Sequence, residues 1–158
     1  MATVKSQYGS SNQPITCTFT SLANGAQRQS AAVDNTGNLF LDALVQIRVK
    51  AAGSGTSGQG CVNIYAYGTA DAGSYYSDGA SGSDAAITLT APPNMRLIGV
   101  VNVVANSATY VSPPFSVAAA FGGILPDHWG IVVENATAAT LDGTVGSAWY
   151  QGIWNQAV

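Results

Sequence analysis

The clearest pattern in the chain is the alternation of apolar and polar residues between Leu39 and Ala51. Every odd-numbered position in this stretch is apolar. Polar residues fall only on even-numbered positions: Asp42, Gln46, Arg48 and Lys50. A two-residue period is typical of a β-strand with one buried face. At roughly 3.3 Å per residue the strand would be about 40 Å long, so we predict a strand that is central in its sheet or bent.

Two apolar residues, Phe40 and Leu44, interrupt the polar face of this predicted strand. Both lie in its N-terminal half, which indicates that this end is covered on both sides by a neighbouring layer or subunit. We therefore predict Phe40 and Leu44 as candidate subunit-interface residues. Gln46, Arg48 and Lys50 are expected to stay in contact with water.

Shorter apolar segments follow the long strand and are separated by glycine-rich and proline-rich turns. A Gly/Ser loop at residues 53–60 leads into Cys61–Tyr67, which alternates again, and we predict that this segment and the long strand form a hairpin. Residues 95–104 are apolar almost throughout, which predicts a strand buried on both faces.

These segments together predict an all-β fold. We count eight or nine strands and no segment with a sustained 3.6-residue period, which favours an antiparallel β-sandwich, jelly-roll-like, formed by residues 15–158 as a single domain. Residues 1–14 are polar and end in a proline. They are predicted to be a flexible N-terminal arm without a core of its own, either disordered or lying on a neighbour.

The composition narrows the choice of partner. Charged residues make up only 8% of the chain. Because protein interfaces favour surfaces poor in Lys and Glu, this composition indicates a protein that assembles with others. An ordinary β-protein with a neutral surface is the alternative interpretation. A net charge of -3 with five basic residues argues against a nucleic-acid partner. No apolar run approaches the ~20 residues of a membrane helix, and no secretory signal is recognisable. We therefore expect no membrane partner and synthesis in a cytoplasm.

Two short motifs resemble ligand sites without meeting their structural requirements. Gly53, Gly55 and Gly58 match the spacing GxGxxG, but a strand follows them instead of the helix that a dinucleotide site needs. Residues 78–84 carry several oxygen-bearing side chains but lack the register of a calcium loop. We therefore predict no cofactor site and no metal site, and interpret both segments as turns.

Catalytic groups are also scarce. His128 is the only histidine and no GxSxG sequence occurs, so no Ser/His/Asp relay is indicated. Glu134 is the only glutamate, on an apolar strand where a structural hydrogen bond is expected. Cys17 and Cys61 lack metal-site spacing and are expected to be free thiols, although one bridge between them is possible. The sequence predicts no catalytic residue and therefore no enzyme.

The aromatic residues leave a second function open. Tyr75 and Tyr76 lie together in the turn-rich segment 68–84, where they are candidate ligand-facing rings for a carbohydrate- or host-receptor-binding module. Packing in a core or an interface is the alternative for these two and for the other aromatic residues. Asn135-Ala136-Thr137 matches a glycosylation sequon, which we expect to be silent without a secretory signal.

Three segments resemble a family of small virion proteins encoded in the structural gene clusters of tailed bacteriophages. They are TLTAPPNMRLIGVVNV at 88–103, PFSVAAAFGGILPDHWGIVVENATAATLDG at 114–143, and AWYQGIWNQ at 148–156. The resemblance covers roughly residues 39–156. It implies a non-enzymatic structural subunit of the virion, such as a capsid decoration or cement protein, or another accessory piece of the particle.

The resemblance and the residues lead to the same hypothesis. We expect a homo-oligomer, most simply a trimer, that binds the major capsid protein or another virion protein, with the N-terminal arm reaching a neighbour. The expected location is the virion, after synthesis in the host cytoplasm.

Overall fold

The structure is a computed structural model that describes residues 3–157. Two antiparallel β-sheets pack face to face, and the helices in this range are two short 3-10 turns, Ser77–Gly79 and Ala118–Phe121. The predicted all-β sandwich is therefore confirmed. None of the helices in residues 3–157 has the length and apolar character needed to cross a membrane.

The described residues form twelve strands, more than the eight or nine predicted. In chain order they are β1 Val4–Tyr8, β2 Gln13–Ile15, β3 Gln27–Gln29, β4 Val33–Asp34, β5 Asp42–Ala51, β6 Cys61–Thr69, β7 Ala85–Ile87, β8 Arg96–Asn102, β9 Thr109–Val111, β10 Phe115–Ser116, β11 His128–Ala136 and β12 Leu141–Ala157.

The higher count arises because several strands are broken in two. In the first sheet, with the order β1-β12-β5-β10, β2 shares the position of β1 along β12, and β9 shares that of β10 along β5. In the second sheet, with the order β7-β3-β11-β6-β8, β4 shares the position of β3 along β11. Pro113 and Pro114 separate β9 from β10, because proline cannot donate to a sheet ladder. With β7 set aside, the remaining positions form two four-stranded sheets in jelly-roll order.

The alternation that predicts the long strand is confirmed over Asp42–Ala51. Five apolar side chains of β5 are fully buried: Ala43, Val45, Ile47, Val49 and Ala51. The strand is central, between β12 and the β9/β10 edge. Its predicted start at Leu39 is wrong, because the Asn35 side chain accepts from the Phe40 backbone N–H (2.9 Å) and donates to its carbonyl (3.0 Å), which holds a turn there.

The predicted hairpin between this strand and the next one is also wrong. β5 and β6 lie in opposite sheets, so the Gly/Ser loop crosses the sandwich. Their apolar positions face each other through the core, where Val45 and Ile47 share one hydrophobic cluster with Val62 and Ile64. Two strands with one apolar face each can lie side by side in one sheet or face each other across two layers. Alternation alone does not distinguish these arrangements.

The strand predicted at residues 95–104 is the edge strand β8, Arg96–Asn102, contrary to the prediction of burial on both faces. β8 pairs with β6 on one side only. Val101 and Val103 point into the core, whereas Leu97 and Val100 are 52% and 42% exposed. The outer face of β8 has no layer over it, which a run of apolar residues cannot reveal.

The N-terminal segment differs from the predicted arm in having regular structure. Val4–Tyr8 pairs antiparallel with the end of β12, from Val4 opposite Ala157 to Tyr8 opposite Ile153. Gln13–Ile15 pairs further along the same strand. The side chains of β1 are mostly exposed, so β1 is held by its backbone ladder, without core contacts of its own.

Candidate interaction surfaces

Phe40, the first candidate interface residue, is half-buried against its own chain. Its ring stacks on Trp154 with centroids 5.8 Å apart and an interplanar angle of 28°. The ring also covers Gly152 so closely that a Cβ atom there would overlap it. Phe40 therefore supplies a layer over the end of β12, and its prediction as a subunit contact stays a prediction.

Leu44, the second candidate, lies on the outer face of the first sheet and is half-buried. A small cavity of about 70 Å³ adjoins it, between Asn12, Pro114 and Trp149. Of the residues expected to stay in contact with water, Arg48 is exposed, whereas Gln46 and Lys50 are half-buried. Gln46 donates to the Ser112 carbonyl (2.8 Å), and Lys50 pairs with Asp142 (3.0 Å).

An exposed apolar surface lies beside Phe40, and the sequence did not predict it. Leu39 and Ile124 are 72% and 70% exposed, and Leu41 is also exposed. The turns that carry them are joined by a hydrogen bond from the Leu125 N–H to the Leu41 carbonyl (3.0 Å). We call Leu39, Leu41 and Ile124 the apolar end patch. Topology alone brings these residues together, so no local pattern could have found them.

Two cavities at the apolar end patch have Leu39 in their walls. One of about 280 Å³ is lined by all three of its residues, together with Phe40 and Asp127. The other, of about 530 Å³, is lined by Leu39, Phe40, Trp154 and the turn at residues 9–10. A sandwich end with exposed aliphatic side chains and concave walls is a surface suited to a protein partner.

Tyr75 and Tyr76 do not form one ligand platform. Tyr75 is 82% exposed. Tyr76 packs instead edge-to-face on Tyr67, with centroids 5.3 Å apart, and contributes to a second apolar cluster on the outer face of the second sheet. Of these two rings, only that of Tyr75 is therefore free to meet a ligand.

The carboxylates of the chain are mostly engaged within the fold. Seven of the eight accept hydrogen bonds: Asp34, Asp42, Asp71, Asp78, Asp84, Glu134 and Asp142. Glu134 follows the expectation of a structural hydrogen bond, since it accepts from Gln27 (2.9 Å), Asn63 (2.8 Å) and Tyr65 (3.0 Å). Desolvation acts to raise the pKa of Glu134, but these hydrogen bonds outweigh it and the pKa is lowered.

The eighth carboxylate, Asp127, lies beside the single histidine. The distance from Asp127 Oδ1 to His128 Nδ1 is 3.5 Å, and His128 Nε2 is 3.9 Å from Asp34 Oδ1. Sheet register places His128 opposite Asp34. Neither Asp127 Oδ1 nor His128 Nδ1 has a hydrogen-bond partner in residues 3–157. Within the same range, no three His, Cys, Asp or Glu side chains are close enough to hold a metal ion.

The carboxylates predict a loss of stability in acid. The pKa values of Asp84 and Glu134 are lowered, the former by hydrogen bonds from Arg28 and Thr18 that outweigh desolvation. A carboxylate whose pKa is lowered in the folded state stabilises the fold at pH values above its unfolded pKa, which is near 4. This stabilisation is lost as the pH falls through the lowered pKa of the folded state. We expect the melting temperature to drop between about pH 5 and pH 2, measured by circular dichroism.

The variant Asp84→Asn tests this acid dependence at one site. It removes the titrating group that pairs with Arg28 at 2.6 Å, so it should melt lower than the parent at neutral pH and change less on acidification. A parent protein with the same melting temperature at pH 5 and pH 2 would contradict the prediction.

The cysteines and the sequon have structural roles. Cys17 and Cys61 are free thiols, as expected, and burial raises the pKa of Cys17 to about 12. Asn135 and Thr137 of the sequon are fully buried, and Asn135 Oδ1 accepts from both the backbone N–H and the hydroxyl of Thr137. The sequon is therefore a buried turn in the folded chain.

Comparisons with known proteins add no relative to this picture. No family model, no curated protein and no solved structure matches the chain.

Proposed function

We propose that this chain is a non-enzymatic structural protein of a tailed-phage virion, acting as a capsid decoration or cement protein that oligomerises and binds the capsid surface. The apolar end patch carries the proposal. Leu39 and Ile124 each expose about seven-tenths of their surface at the same end of the sandwich. Exposed aliphatic side chains beside concave walls are typical of a surface that another protein covers.

The distribution of charge supports a role without chemistry. With charged residues at 8% of the chain, the surface has few groups that would have to be desolvated on assembly. The carboxylates that a hydrolase would need are engaged in turns and strand-to-strand contacts, as for Asp78, which accepts from Thr90 and from the Asn94 backbone at 2.8 Å each.

The segments that resemble phage virion proteins include the candidate surfaces. Residues 88–103 contain the exposed edge strand β8, residues 114–143 contain Ile124, and residues 148–156 contain Trp154. The resemblance therefore falls on the parts of the chain that are available to partners as well as on the core.

A carbohydrate- or receptor-binding module of the tail or fibre has less support. Its strongest candidate feature is the Tyr75-Tyr76 pair. The Tyr75 ring of this pair is exposed, whereas the Tyr76 ring packs on Tyr67. A single exposed ring offers one stacking surface, whereas the apolar end patch combines three side chains with two cavities.

The proposal predicts that the apolar end patch is needed for assembly. The double variant Leu39→Ser, Ile124→Ser should lower the mass of the purified protein in light scattering and reduce its retention on particles by at least tenfold, which corresponds to about 1.4 kcal/mol. Both side chains are exposed, so the melting temperature should change little.

Tyr75→Ser is the matched control, because it also replaces a large exposed side chain but lies outside the patch. It should leave both mass and retention unchanged. Retention of the double variant at the parental level would refute the role of the patch. Loss of binding to host cells in Tyr75→Ser alone would favour the receptor-binding module.

A further inference from the structure

The ends of β1 and β12 form a ribbon that extends beyond the first sheet. β12 pairs with β5 only as far as Ile153, opposite Asp42. Beyond that point its one strand partner among residues 3–157 is β1, from Gln7 opposite Trp154 to Val4 opposite Ala157. Six of the eight residues in this two-stranded segment are exposed, and two-stranded ribbons are marginally stable in water on their own. A third strand would stabilise the ribbon.

The second sheet has an unprotected edge at β8. This strand hydrogen-bonds to β6 on one side, and its other side is free of strand partners in the described chain. Leu97 and Val100 are exposed on its outer face, and Val104 follows them. Proteins commonly protect such edges with lysine, proline or a covering segment. Arg96 is the only charged residue of β8.

A groove lies at the start of this edge. It has a volume of about 600 Å³ and lies between β8 and the segment that carries β10, with Leu97 and Ile98 on one wall and Phe115 and Ser116 on the other. The register of β8 is irregular between Gly99 and Leu97, but from Gly99 to Asn102 it follows β6 without interruption. The regular part is available to an added extended strand.

We infer that β1 of one copy adds as a strand to the free edge of β8 in a second copy. This inference rests on the proposed function only in that the chain oligomerises. A row of unpaired backbone N–H and C=O groups on β8 would gain a partner, and the ribbon would gain its third strand. The first sheet of one copy would continue into the second sheet of the next.

The ends of the two strands favour the antiparallel direction. In an antiparallel pairing Tyr8, the last residue of β1, approaches Arg96, the first residue of β8. An aromatic ring and a guanidinium attract each other.

This contact joins two different surfaces, β1 of one copy and β8 of the next. Each copy therefore has one of each surface left to bind a further copy in the same way. Head-to-tail contacts of this kind form a closed ring when the rotation between copies closes. The expected trimer would be one such ring. The ribbon and the apolar end patch both adjoin Trp154, so both would lie in the same contact.

Cross-linking between differently marked chains tests the inference. Chains carrying Ser6→Cys and chains carrying Val100→Cys, both in a Cys17→Ser, Cys61→Ser background, are mixed, refolded together and treated with a short bismaleimide. The expected result is a covalent dimer in the mixture. The control mixture pairs Ser6→Cys with Arg48→Cys, an exposed site on the outer face of the first sheet, and should give at least tenfold less dimer.

Light scattering on the same samples separates the inference from the proposed function. Oligomeric samples without the Ser6–Val100 cross-link would overturn the inference and leave oligomerisation standing. Monomeric samples at all concentrations would overturn both. A strong cross-link in Val100→Cys chains alone would replace the inferred contact with pairing of two β8 strands.

A second variant, Val100→Lys, tests the inference without the substitutions Cys17→Ser and Cys61→Ser, and so does not depend on whether that background folds. It places a charge on an exposed position of β8, so folding should be unaffected while association weakens by at least tenfold. Unchanged association would overturn the inference.

Discussion

Replacing Gly130 with alanine is expected to destabilise the fold by about 3 kcal/mol. Gly130 in β11 lies directly opposite Tyr67 in β6, and a Cβ atom at Gly130 would overlap the Tyr67 ring. The ring cannot move away without loss, because it is fully buried and its hydroxyl donates to the Ser30 carbonyl at 2.7 Å. Tyr76 is in T-shaped contact with this ring and would have to shift as well.

Chemical denaturation with guanidinium chloride measures this effect. Gly37→Ala is the matched control, because no atom lies within 4 Å of a Cβ atom at that position and the residue has no positive φ. The control should change the free energy of unfolding by less than about 0.5 kcal/mol. If Gly130→Ala is as stable as Gly37→Ala, the packing of Tyr67 against β11 is not as described.

Replacing Asn135 with alanine is expected to cost about 3 kcal/mol, since it leaves buried polar groups without partners. The Asn135 side-chain amide donates to the carbonyls of Leu22 (2.8 Å) and Ala139 (2.7 Å). Its oxygen accepts from Thr137, which is itself fully buried. One side chain thus joins two turns, the one at Leu22 and the one at residues 137–139.

Thermal and chemical unfolding both report on this variant. Asn38→Ala is a suitable control, because Asn38 is exposed and its side chain makes no hydrogen bond in residues 3–157. It should be near neutral. Equal stability of the two variants would show that the Asn135 contacts contribute little to the free energy of unfolding.

The folded protein should also resist glycosylation at Asn135, because this side chain is fully buried. Mass spectrometry after incubation with an oligosaccharyltransferase can check this expectation.

Local patterns were sufficient to predict the class of fold and the buried face of its central strand. Alternation identifies which side of β5 is buried because side chains on a strand alternate strictly between its two faces. It does not identify the partner that covers the buried face. That is why β5 and β6, which share the pattern, were expected to be neighbours and are instead opposite each other across the core.

The candidate surfaces were harder to predict, because they depend on contacts between distant residues. Phe40 was recognised as an exception on a polar face, but its contact with Trp154 depends on a pairing across more than a hundred residues. The exposure of β8 depends on its position at the edge of a sheet. The sequence does not reveal this position, because an apolar run is equally typical of a central strand. Ile124 follows two glycines in a segment that carries no pattern of its own.

The position of β12 has a consequence for how the chain reaches its fold during synthesis. Of the twelve strands described, β12 is synthesised last, yet it lies between β5 and the β1/β2 pair in the first sheet. β1 and β2 are synthesised before the other ten and have no ladder partner until residues 148–157 emerge. Pairings between such distant segments form slowly, and the waiting edges can associate with other nascent chains in the meantime. A low level of expression, which keeps the concentration of nascent chains low, should therefore favour the soluble yield of this protein.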